Sequence, residues 1–63
     1  MNKNEIHEAA LEENRLRVWF KMWDRLPLEF RNKPENLKVY AENSAKYSKA
    51  AEVVELAIFN GEY

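Results

Sequence analysis

Helix-breaking residues are confined to the middle and the far end of this 63-residue chain. The only prolines are Pro27 and Pro34, and the only glycine is Gly61. The stretches on either side of the prolines are rich in Ala, Leu, Glu, Lys and Arg, which are strong helix formers. The sequence therefore predicts one helix at about residues 4–25 and a second at about residues 34–59.

The segment between the two predicted helices is LPLEFRNK, at 26–33, and it has room for one short helical turn. Pro34 suits the first turn of the second helix, where its missing N–H is no loss. At the other end, Asn60 and Gly61 supply a left-handed stop. The whole chain, 1–63, is thus expected to form a single helical domain.

Apolar residues follow the helical period in both predicted helices. In the first, Ile6, Leu16 and Trp23 belong to a stripe with alternating spacings of three and four residues. In the second, a heptad repeat runs from Leu37 to Ile58. The pattern predicts an all-α, antiparallel helical hairpin. The residues expected in its core or in a dimer interface are Ile6, Leu16, Trp19, Phe20, Trp23, Leu26, Leu37, Tyr40, Tyr47, Ala51, Val54 and Ile58.

A second apolar strip lies outside the surface that one hairpin could cover. Leu11, Val18 and Met22 fall on another side of the first helix. A chain of this length buries only about 60% of the surface that its unfolded form exposes, and it has no cysteine for a disulfide. We therefore expect two hairpins to associate as a four-helix bundle. The candidate contacts for the twin subunit or for a partner protein are Leu11, Val18, Met22, Leu28 and Phe30.

The charge is nearly balanced, with ten basic and eleven acidic side chains. Such a chain has no overall field to attract nucleic acid or an anionic membrane. Its first residues are acidic, and no stretch reaches the roughly 18 apolar residues of a membrane span. These features predict a cytoplasmic protein that does not insert into a membrane.

No arrangement of residues points to catalysis, a metal or a cofactor. His7 is the only histidine, and it points away from Glu8 and Glu12 on a helix. Ser44 and Ser48 have no histidine nearby in the sequence that would activate a nucleophile. The sequence therefore predicts a non-enzymatic protein that binds no metal and no cofactor.

The stretch RLRVWFKMWDRLPLEF, at 15–30, combines cations with aromatic rings. This composition is typical of interfacial membrane helices and of some nucleic-acid-binding surfaces. Here Trp19, Phe20 and Trp23 align with the core stripe, which favours packing inside the protein. The alternative to protein binding is a small dimeric nucleic-acid binder, since the architecture resembles that of plasmid copy-control proteins of the Rop type. The basic side chains that would serve such a function are Arg15, Arg17, Lys21 and Arg25.

From MNKNEIHEAALEEN through WFKMWDRLP to AIFNGEY, the whole chain resembles the small early proteins of lambda-type bacteriophages, in particular those of the exonuclease–excisionase region. The resemblance implies an accessory factor that is expressed early in infection or induction. Such factors redirect host processes and bias the choice between lysis and lysogeny by binding host or phage proteins. The resemblance therefore implies an interaction module in the host cytoplasm.

Overall fold

The computed structural model describes residues 2–62, which form an elongated helical molecule of 44 × 17 × 17 Å. Helix α1 is Lys3–Trp23, α2 is Leu28–Arg31 and α3 is Pro34–Phe59. The two long helices pack against each other, and α2 is a single turn in the link. No strand occurs in this part of the chain. The predicted all-α character and the long helix pair are confirmed.

Helix α1 begins at a side-chain cap and ends ahead of a proline. Asn2 Oδ1 accepts a hydrogen bond of 2.8 Å from the backbone N–H of Glu5, which has no partner inside the helix. The helix ends at Trp23, slightly before the predicted boundary. The N–H groups of Arg25 and Leu26 bond to carbonyls three residues back. Leu26 precedes Pro27, and the ring of a proline sterically disfavours the α-conformation in the residue before it. The chain therefore leaves the helix ahead of Pro27.

Two side-chain hydrogen bonds fix the link between the long helices. Arg31 Nε donates to the carbonyl of Leu26 at 3.1 Å, and Asn36 Nδ2 donates to the carbonyl of Phe30 at 2.8 Å. Pro34 lies in the first turn of α3, where the sequence predicts it. These bonds hold α2 across one end of the helix pair, which we call the loop end. The opposite end, where α1 begins and α3 finishes, is the open end.

Helix α3 ends at a left-handed glycine, as the sequence predicts. Gly61 has a φ of 71°. Its N–H bonds to the carbonyl of Ile58 at 3.1 Å, and the N–H of Glu62 bonds to that of Ala57 at 2.8 Å. This pair of bonds is the Schellman arrangement, which satisfies carbonyl groups that the last turn of a helix leaves without partners.

The core lies along the seam between α1 and α3. Its most buried side chains are Ile6, Leu16 and Trp23 from α1, and Ala50 and Ala57 from α3. The buried residues of α3 in the open-end half of the seam are small, which allows the two backbones to approach closely there.

Five aromatic rings fill the loop-end half of this seam. Phe20 meets Tyr40 and Tyr47 edge-on, with ring centroids 5.4 and 5.7 Å apart. The ring of Trp23 lies 5.2 Å from that of Tyr40, and Trp19 stacks on Trp23 at 5.2 Å. These contacts across the seam show that α1 and α3 run antiparallel, since residues late in α1 meet residues early in α3.

The structure corrects the register of α3 within the hairpin. Leu37 and Ile58, which the heptad repeat predicts to face the first helix, are 47% and 60% exposed. The buried positions lie one residue earlier in each heptad, and Ala50 and Ala57 are the fully packed ones. At these two positions small residues of α3 pack against α1. The other residues of the predicted stripes are half-buried, apart from the more exposed Tyr40: Trp19, Phe20, Leu26, Tyr47, Ala51 and Val54.

None of the helices within residues 2–62 is both long enough and apolar enough to cross a membrane. The longest, α3, carries charged residues along its whole length.

Candidate protein-interaction surfaces

An apolar groove of about 300 Å³ opens on the surface at the loop end. It forms where the last turns of α1, the link and the first turns of α3 diverge. We call it the loop-end groove. Its lining residues are Trp19, Met22, Trp23, Leu26, Phe30, Asn36 and Val39.

The walls of the loop-end groove are held in place by packing and hydrogen bonds. Trp19 is fixed on two sides, since it stacks on Trp23 and meets Phe20 edge-on at 5.1 Å. The bond from Asn36 to the carbonyl of Phe30 sets the position of α2 against α3. A groove with fixed walls binds without first losing conformational freedom, which favours affinity.

The rim of the loop-end groove is apolar and exposed to solvent. Met22 is 62% exposed, and Phe30 and Val39 are each more than two-fifths exposed. Large exposed apolar residues that surround a concave surface are typical of binding sites. Methionine adds adaptability, because its unbranched thioether side chain fits partners of different shapes.

The second apolar strip of α1 lies on its outer face. Leu11, Val18 and Met22 are all more than half exposed. Val18 follows the buried Leu16 by two residues, which places it about 160° around the helix. Met22 belongs both to this strip and to the rim of the loop-end groove. The strip therefore extends the apolar surface of the loop end along the outside of α1.

Leu28, the remaining candidate contact from the link, is 61% exposed on α2. It does not line the loop-end groove, whereas its neighbour Phe30 does. The link therefore offers two separate apolar side chains at the tip of the molecule.

The four basic residues considered for nucleic-acid binding do not share one face. Arg15 and Arg17 are about 160° apart around α1. Arg15 pairs with Glu12, and Arg17 pairs with Glu13 at 2.6 Å. The neighbouring Tyr47 oxygen, followed by the Glu13 carboxylate, raises the pKa of Arg17 above its ordinary value. The structure thus neutralises two of the four cations within the hairpin.

Lys21 and Arg25, the other two of those cations, are exposed, Lys21 on the last turn of α1 and Arg25 in the turn that follows the helix. Neither forms an ion pair with another side chain among residues 2–62. Only these two cations of the four remain available for an anion.

The features weighed for chemistry stay apart in the structure. Within the described part of the chain, no three His, Asp or Glu side chains come close enough together to hold a metal ion. His7 is exposed on α1, and Ser44 and Ser48 are exposed on α3. The geometry brings none of these groups together.

The charges separate along the length of the molecule, which the nearly neutral total conceals. Residues 15–40, which form the loop end, carry seven basic and three acidic side chains, a net charge of +4. The rest of the chain carries three basic and eight acidic side chains, a net charge of −5. The hairpin brings the acidic start of α1 beside the acidic end of α3. Opposite charges therefore accumulate at the two ends of a molecule 44 Å long.

The helix dipole accounts for this polarity in α1 but not in α3. Acidic residues at the start of α1 and basic residues at its end are the favourable arrangement. In α3, Glu52 and Glu55 lie toward the C-terminus, where cations would be favoured, and the last turn has no basic residue. The positions of these two glutamates are therefore not explained by the dipole of α3.

No protein-family model, no curated protein and no solved structure matches this chain. An assignment of function therefore depends on the geometry of the surfaces described above.

Proposed function

We propose that the protein is a non-catalytic interaction module that binds a protein partner through the loop-end groove. The observation that carries the proposal is the groove itself, which has a volume of about 300 Å³ and a largely apolar lining. Tryptophan and methionine are among the residues enriched in protein interfaces. Trp19 and the exposed Met22, which both line the groove, provide both. An apolar side chain from the partner would bury its surface against rings that are already fixed.

The proposal includes association of two hairpins into a four-helix bundle. A single helix pair leaves apolar side chains exposed at both ends of the molecule, including Leu37 at the loop end and Phe59 at the open end. Covering such residues with a second copy is the usual solution for a short helical chain without disulfides. The dimer would supply the additional buried surface.

The resemblance to early proteins of lambda-type bacteriophages supports a specific setting for this module. In that setting the protein is made early in infection, acts in the host cytoplasm, and binds a host or phage regulatory protein. The balance between lysis and lysogeny is the process that such binding would influence. This part of the proposal is supported by the sequence resemblance alone.

A pair of matched variants tests whether the loop-end groove binds a partner. Val39→Glu places a carboxylate in the groove, and Leu56→Glu places one at a similarly exposed apolar position on α3 outside the groove. Both proteins and the wild type are used as bait in a bacterial lysate, and the captured proteins are quantified by mass spectrometry. We expect a protein that the wild type and Leu56→Glu capture and that Val39→Glu loses.

The captured protein is then purified and titrated against the wild type, with tryptophan emission as the readout. Trp19 lines the groove, so a partner seated there should shift the emission to shorter wavelength. Equal capture by Val39→Glu and the wild type, with the helical circular dichroism of both intact, would rule out the groove as the binding site.

Nucleic-acid binding is the second candidate function, and the net charge of +4 at the loop end is the observation that favours it. Two of the four basic residues considered for this function are already paired with glutamates, which weakens this candidate. An electrophoretic shift titrated with salt separates the two functions. A phosphate binder loses affinity steeply between low and physiological salt. No shift at the lowest salt concentration excludes this function.

A further inference from the structure

A second heptad stripe on α3 runs beside the buried one and is not covered by α1. It consists of Leu37, Ser44, Ala51 and Ile58, and we call it the side stripe. Ala51 is half-buried, and the other three residues are exposed. A helix in a four-helix bundle contacts two neighbours, so its apolar face is wider than the face that one neighbour needs. The side stripe is this additional width.

The order of sizes along the side stripe is the same in both directions. It reads large, small, small, large from Leu37 to Ile58. The outer pair is Leu37 and Ile58, and the inner pair is Ser44 and Ala51; the midpoint of each pair falls between residues 47 and 48. A two-fold axis there would set Leu37 against Ile58 of a second copy, and Ser44 against Ala51 of that copy. The small residues in the middle allow close approach, and the large residues close both ends.

The two-fold axis makes the two α3 helices antiparallel, and the charge distribution favours the same antiparallel orientation. In an antiparallel pair, the loop end of one copy, with net charge +4, lies beside the open end of the other, with net charge −5. A parallel pair would place like charges together at both ends. Electrostatic complementarity of this kind mainly determines orientation and specificity.

The size of the available face also fits a second copy. One side of a molecule of 44 × 17 Å offers on the order of 700 Å², close to the roughly 800 Å² that each partner buries in a standard interface.

We propose that the side stripe is the interface with a second copy of the chain, packed antiparallel about an axis near the middle of α3. This inference rests on the proposed dimer and adds its face and its orientation. Val39 of the loop-end groove lies two residues beyond Leu37, on a distant side of α3. Both grooves therefore stay open, one at each end of the dimer, and the assembly presents two partner sites.

A pair of adjacent substitutions tests the face. Ser44→Glu places a carboxylate on the side stripe, and Ala45→Glu places the same group on the outer face of the same helix. Both residues are exposed, so the hairpin should fold in each variant, which circular dichroism can verify. By sedimentation equilibrium, Ser44→Glu should weaken the dimer on the order of 100-fold, because two unpaired carboxylates become buried. Ala45→Glu should change the dissociation constant by less than about threefold.

The orientation is tested with one spin label on each copy. The chain has no cysteine, so Glu29→Cys on the exposed surface of α2 gives a single labelling site. Pulsed electron paramagnetic resonance should give a label separation comparable to the 44 Å length of the hairpin. A separation below half that length would mean a parallel pair and would overturn the inference, as would a dimer unaffected by Ser44→Glu or a chain that stays monomeric. Capture of a partner by the groove does not depend on these results, so failure of the proposed function would be seen separately.

Discussion

At the scale of single residues, the aromatic rings of the loop end have two roles. Trp23 is buried against Tyr40 and supports the seam between the helices. Trp19 stacks on Trp23 with one face and lines the loop-end groove with the rest of its surface. The core therefore holds the groove in shape, because Trp19, one of the rings that line it, is packed against the buried Trp23.

Replacement of Trp23 by alanine should destabilise the protein by about 3–5 kcal/mol, since a large buried ring is lost and a cavity remains. Thermal unfolding followed by circular dichroism measures the change. Met22→Ala is the matched control, because Met22 is adjacent in sequence and 62% exposed. It should alter stability by no more than about 0.5 kcal/mol. An unchanged melting temperature for Trp23→Ala would mean that the ring is not part of the core.

At the scale of helices, the sequence predicts where α1 and α3 lie but not which side of α3 meets α1. Breakers and caps are local signals, and Pro34 and Gly61 set the ends of α3 as predicted. The register is a tertiary property. Two adjacent heptad stripes run along α3, and the more apolar one, which includes Leu37 and Ile58, is the natural choice from sequence. In the structure the adjacent stripe, which contains Ala50 and Ala57, faces α1 instead.

The loop-end groove was not predictable from periodicity for a similar reason. It depends on how the chain turns after Pro27, and on the bond from Asn36 to the carbonyl of Phe30. Asn36 gives no apolar signal in the sequence. Met22 and Phe30 were predicted as candidate contacts, whereas Val39 was not, because it lies outside the predicted stripe of α3. Its position in the groove follows from the corrected register.

The end of α3 provides a prediction at the same scale. Gly61→Ala should cost about 1 kcal/mol, because a residue with a side chain is strained at a φ of 71°. No atom lies within 4 Å of the position that the added methyl group would take, so the cost is conformational and not a collision. Gly61→Asn is the control, since asparagine tolerates the left-handed region better than alanine. Denaturant unfolding should order the stabilities as Gly, Asn, then Ala, and a fully stable Gly61→Ala protein would contradict this account.

At the scale of the whole molecule, the separation of charge arises only on folding. Along the sequence, acidic and basic stretches alternate, and the total is −1. The antiparallel hairpin then brings both ends of the chain together, which collects the acidic stretches at the open end and leaves the basic ones at the loop end. Glu52 and Glu55 gain nothing from the dipole of α3. Their position is accounted for if they lie beside the basic loop end of a second copy.

The salt dependence of association tests this explanation. Between about 0.01 and 1 M salt, the screening length falls from roughly 30 to 3 Å, so attraction between opposite ends is lost. The dimer dissociation constant from sedimentation equilibrium should therefore rise with salt.

Two variants change the attraction between opposite ends in opposite directions. Glu52→Lys with Glu55→Lys takes the net charge of the open end from −5 to −1, which should flatten the salt dependence. Lys3→Glu, at the start of α1, takes it to −7, which should steepen the salt dependence. The direction in which salt changes the dissociation constant distinguishes an antiparallel pair from a parallel pair. In a parallel pair the like-charged ends would lie together, so salt would tighten the dimer and the more acidic variant would associate least.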